Sequence, residues 1–98
     1  MNMVENYYEV TAQVKDPDRP THWDRTILNG ATCVFLHEVV IGENFYFCAN
    51  YGNEYAQDWH TIRTTKVLSF NVNIENEKIV SVEVETKNTI YRFMRVEV

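Results

Sequence analysis

The chain has 98 residues, 45% of them hydrophobic and 23% charged, with a formal net charge of −5. That length is one domain, residues 1–98. The composition excludes collagen, coiled coil and disorder, and no apolar run reaches the roughly 18 residues that a membrane-spanning helix requires. Nine Lys and Arg, scattered among fourteen acids, argue against duplex nucleic acid as a partner, because phosphate binding needs clustered cations. An acidic surface suits a basic protein or a neutral ligand, or simply keeps the chain soluble.

Forty-one residues are Val, Ile, Thr, Tyr, Phe or Trp, and only seven are Leu or Ala. Branched and aromatic side chains fit a pleated, half-buried surface, so the chain reads as all-β with at most one or two short helices. Residues 7–14 alternate, with Tyr8, Val10, Ala12 and Val14 on one side and Tyr7, Glu9, Thr11 and Gln13 on the other. Pro17 and Pro20 end that strand by removing ladder donors. Residues 21–29 fit either a short helix begun by Thr21 and stopped at Asn29-Gly30, or a strand with Asn29-Gly30 as its turn. Residues 32–41 and 45–49 predict a hairpin joined at Gly42-Glu43-Asn44 by two or three residues. Residues 50–59 are polar with turn formers at their start, and a helical turn after Asn53 is compatible with them.

The last third is the most regular. Residues 66–74, 78–86 and 89–96 alternate with period two. A two-residue connection at Lys87-Asn88 pairs Val84 with Tyr91, Val82 with Phe93 and, on the opposite face, Glu83 with Arg92, so one register satisfies both sides. In the preceding hairpin an even loop would set Val72 against Ser81. An odd loop sets Val72 against Val80, Phe70 against Val82 and Leu68 against Val84, with Asn76 or Glu77 left-handed beside a bulge. The expected core face is Leu68, Phe70, Val72, Val80, Val82, Val84, Tyr91 and Phe93. Earlier strands must cover it, which predicts a small antiparallel barrel or a two-layer sandwich ending in a three-stranded meander.

Catalytic chemistry finds no specific support. His22, His37, His60, Cys33 and Cys48 lack zinc-ligand spacing, the three glycines form no phosphate loop, and the two serines have no nucleophile-elbow context. No metal or cofactor is expected. A convergent His60, Asp58 and cysteine is the enzymatic alternative. Residues 1–9 lack the basic start and apolar stretch of a secretory leader. That predicts a cytoplasmic protein with reduced thiols, a Cys33–Cys48 bridge being the lesser alternative.

Thirteen aromatics stand out. Tyr51, Tyr55 and Trp59 fall in one predicted loop and Trp23 in the other, where rigid amphipathic rings act as protein anchors or stack on bases. The competing reading makes Trp23 and Trp59 plugs for the barrel ends. Arg63, among threonines, suits a phosphate or guards an edge strand.

The stretch Trp59-His60-Thr61-Ile62-Arg63-Thr64-Thr65-Lys66-Val67, followed by the hairpin of residues 82–93 with Thr86-Lys87-Asn88-Thr89-Ile90-Tyr91 at its turn, resembles a recurrent ending of small bacterial, phage and prophage β proteins. The resemblance covers about a third of the chain and carries no active-site residues. It implies a mobile-element accessory protein, a group that includes anti-defence inhibitors such as anti-CRISPRs, which act by binding. The sequence therefore predicts a non-enzymatic binding module with a protein partner and a site at Trp23, Tyr51, Tyr55, Trp59 and Arg63. The alternatives are a barrel that binds a small ligand, nucleotide or single strand, an enzyme, and a homo-oligomer formed through edge strands.

Overall fold

In a computed structural model, which describes residues 3–18, 24–51 and 58–97, the alternation at the start becomes strand β1, Tyr7–Val14, with Tyr8, Val10 and Ala12 buried. Five more strands follow: β2 (Thr32–Phe35), β3 (Asn44–Tyr51), β4 (Asp58–Glu75), β5 (Lys78–Thr86) and β6 (Thr89–Val96). Each pairs antiparallel with the next, and β6 returns to β1 from Tyr7 opposite Val96 to Val14 opposite Thr89. The sheet closes into a six-stranded barrel rather than a sandwich, which joins what would otherwise be the two edge strands.

The two C-terminal hairpins show how turn chemistry sets register. At Lys87-Asn88 the expected pairs form: Val84 with Tyr91, Val82 with Phe93, Glu83 with Arg92. Arg92 Nε donates to Glu83 Oε2 at 2.8 Å. The β4–β5 connection differs from expectation. Asn76 and Glu77 both take positive φ (50° and 64°) and form a two-residue turn that pairs Glu75 with Lys78 and Ile74 with Ile79. Val80 then bulges out of β5, so Asn73 meets Ser81, Val72 meets Val82 and Phe70 meets Val84. The faces agree with the sequence reading, but the partners lie two residues further along.

A second bulge, between Val67 and Ser69, corrects the expected core. Val67 is buried opposite Thr86, whereas Leu68 is the extra residue and stands exposed. Phe70 and Val72 pack against the core from its margin, and Val80 is half-buried. Phe93 occupies the centre, in ring contact with Tyr8, Phe35, Phe45, Phe47 and Tyr91, edge-on to Phe35 at 4.8 Å and to Phe47 at 5.1 Å. Such edge-on pairs add about 0.5–1.5 kcal/mol each beyond the area they bury.

Elsewhere the structure takes the short-helix alternative at residues 25–28 and corrects one expected strand. Residues 25–28 form a 3-10 turn, Arg25–Leu28, whose cap is Asp24; its carboxylate accepts from the Thr26 backbone N–H at 2.9 Å and from the Thr26 hydroxyl at 2.6 Å. The proposed Thr21 cap lies outside the described residues. The strand expected over residues 32–41 stops at Phe35, and residues 36–43 form the connection to β3, far longer than two or three residues. His37 anchors it. The Tyr46 backbone N–H donates to His37 Nε2 (3.1 Å), so the proton sits on Nδ1, which donates to the Glu38 carbonyl (2.7 Å). The connection then binds β4, with Gly42 N–H donating to the Val67 carbonyl and Val67 N–H to the Glu43 carbonyl, both at 2.9 Å.

Candidate functional site

Alternation along β1, β2, β3 and β4 leaves every second side chain on the outside of the barrel. Register then decides which of them become neighbours. Tyr7 pairs with Val34, Val34 with Cys48 and Cys48 with Thr61, while Trp59 pairs with Asn50, one outward position along. Tyr7, Val34, Cys48 and Trp59 thereby line an outward-facing hollow of about 320 Å³. Among the described residues its lining carries no carboxylate, amine or imidazole and is mostly apolar. Tyr7 and Trp59 stay exposed on its sides, at 39% and 49%. Leu36, exposed, and Tyr46, half-buried, extend the same face.

The outside of β5 and β6 has the opposite character. There the Glu83–Arg92 pair, the Lys15–Glu85 pair, the Ser69 hydroxyl donating to Glu85 (3.2 Å) and Arg92 donating to Gln13 (3.3 Å) form a polar lattice. Lys15 and Ser69 hold the Glu85 carboxyl below its ordinary value. The barrel is thus two-sided, with charge pairs over β5 and β6 and only uncharged side chains at the outward positions of β2 and β3.

The predicted site residues separate across this framework. Trp59 and Arg63, the second and sixth residues of β4, share its outer face in a ladder with β3 rather than in a loop. Trp59, half exposed on the outside wall, does not plug a barrel end. Tyr51 lies on the other side of the sheet, at the end of β3, where its ring meets His60 with centroids 4.4 Å apart. Trp23 and Tyr55 lie outside the described residues. Tyr7, Val34 and Cys48 escaped the sequence reading. Tyr7 carried a signal, as an aromatic on the otherwise polar side of an alternating strand; Val34 and Cys48 sit in runs that are apolar on both sides.

Among the described residues the two cysteines and His60 stand apart. Cys33 pairs with Ala49 and points into the core, where burial pushes its thiol up. Cys48 faces outward with Thr61, away from His60 and its ring partner Tyr51. Both cysteines are free. Arg25 reaches the barrel interior near one end, donating from Nη2 to the Arg63 carbonyl (3.5 Å) and approaching the Tyr91 hydroxyl, which burial pushes up and Arg25 partly offsets. Among the described residues no three His, Cys, Asp or Glu side chains converge as a metal group, and no helix is long and apolar enough to cross a membrane. No protein-family model, curated protein or solved structure matches the chain.

Proposed function

We propose that the protein is a non-enzymatic binding module that docks a protein partner on the outer face of β1–β4. The observation that carries this reading is the hollow between Tyr7 and Trp59, an aromatic-flanked apolar depression on the outside wall of a rigid barrel. Interface hot spots have this make-up, with aromatic anchors around a pocket that a partner side chain fills and dries. A net charge of −5 favours a partner whose contact surface is apolar at its centre and basic at its rim. The resemblance of the tail to mobile-element proteins makes a host protein, held and inhibited by this contact, the preferred partner.

A capture experiment with paired variants tests the reading. A partner retained by the wild-type protein should bind at least tenfold more weakly to Trp59→Ala and Tyr7→Ala, which keep the wild-type melting temperature. Ile27→Ala, exposed elsewhere, should bind normally. Equal retention by all three variants overturns the proposal.

Trp59 and Arg63 on one strand face also fit a single-stranded nucleic acid, the ring stacking and the guanidinium meeting phosphate. Titration of a Trp23→Phe protein with oligonucleotides separates the two readings. Quenching of Trp59 that weakens with salt supports the nucleic acid; an unchanged spectrum removes it.

A further inference from the structure

Among the described residues, barrel closure leaves part of β4 as an open edge. β4 has 18 residues and β3 only eight, so β3 covers β4 from Asp58 to Lys66 and ends there. Val67 is held by Gly42 and Glu43. From residue 68 to the Asn76-Glu77 turn, β4 is bonded to β5 on one side, and among the described residues no backbone group bonds it on the other. Every second residue of such an edge presents an unpaired N–H and C=O.

The usual guards of an open edge are missing. Residues 67–74 contain no Lys, Arg, Asp, Glu or Pro. Leu68 and Ile74 are exposed at 54% and 49%. Of the two bulges nearby, one precedes Ser69 and the other lies on β5, so β4 itself is regular from Ser69 onward.

We infer that this edge pairs with the same edge of a second copy, antiparallel about a two-fold axis at Asn71. An isologous contact requires a segment complementary to itself when reversed. The segment Ser69-Phe70-Asn71-Val72-Asn73 meets that condition. Reversal about Asn71 sets Phe70 against Val72 on the inward face, and Ser69 against Asn73 and Asn71 against itself on the outward face, while the bulged Leu68 stands outside the alternation. Apolar meets apolar on one face and polar meets polar on the other. A slip by one residue would set Phe70 against Asn71 and lose this match. A slip by two drives one strand into the Gly42–Val67 contact or past the turn. The centre of the sequence symmetry therefore falls in the middle of the open edge.

Sedimentation over roughly 1 μM to 1 mM tests this, the upper limit marking the weakest association of interest. The wild-type protein should pass from monomer to dimer within that range. Asn71→Lys should stay monomeric and folded, since Glu83 stands opposite position 71 within its own sheet while the dimer would press two lysines together. Asn71→Asp should also be monomeric, and an equimolar mixture of the two folded variants should recover the dimer. Trp59→Ala should dimerise normally, which keeps this test independent of the partner-binding face. A wild-type protein monomeric throughout, an Asn71→Lys dimer, a mixture that stays monomeric, or loss of the dimer in Trp59→Ala each overturns the inference.

Discussion

Cys33 and Cys48 lie one residue out of register on neighbouring strands and face opposite sides of the sheet, Cys33 against Ala49 and Cys48 against Val34. Sequence proximity in a hairpin therefore gives no disulfide, because alternate residues point apart. The two thiols should react differently. Cys48 is partly open on the outer wall, whereas Cys33 is buried and its ionisation suppressed. Folded protein treated with iodoacetamide should gain one adduct, at Cys48 by peptide mapping, and a second only in denaturant. Equal labelling rates would contradict the described orientation.

Phe93→Ala should lower the melting temperature by more than about 10 °C. The ring is fully buried among five aromatic partners, and such truncations cost about 3–5 kcal/mol against a total stability of about 5–15. Its neighbour Met94, 51% exposed on the outer face, should tolerate Ala within about 0.5 kcal/mol. Thermal melts of the two variants check this alternation directly.

Glu77→Gly should stabilise the protein by about 1 kcal/mol, since Glu77 holds a left-handed backbone that a side chain resists and glycine does not. Urea midpoints measure the gain. A loss would mean that the Glu77 side chain makes a contact worth more than its backbone cost.

Acid should weaken the polar side of the barrel. Lys15 and Ser69 depress the folded-state ionisation of Glu85 below the ordinary 4.5. The stabilisation is therefore complete above that ordinary value and is lost as pH falls through the lower folded-state one. Glu85→Gln should flatten the melting-temperature profile between about pH 5 and pH 3. Salt should shrink the difference, because Glu85 is exposed.

Much of this fold was readable because strands report their faces. The Lys87-Asn88 register followed from demanding that Val82, Val84, Tyr91 and Phe93 share one side while Glu83 meets Arg92 on the other. The bulges were harder. Leu68 has the composition and spacing of a core residue, and only the requirement that Val67 meet Thr86 pushes it outward. The start of β4 was read as loop because Asp58-Trp59-His60 shows no alternation, yet β3 supplies a complete ladder for it. The site was readable only in part. Trp59 announced itself as a large ring among polar residues, but its neighbours Tyr7, Val34 and Cys48 come from three other strands and meet only through cross-strand register.

The pairing of β1 with β6 sets a timetable for synthesis. Tyr8, Val10 and Ala12 are made early, yet the strand that covers them is the last of the six to leave the ribosome. At typical elongation rates that interval is on the order of ten seconds. For all of it β1 has at most its β2 neighbour and lacks the longer cover that β6 gives it, which leaves a greasy ribbon for a chaperone to hold.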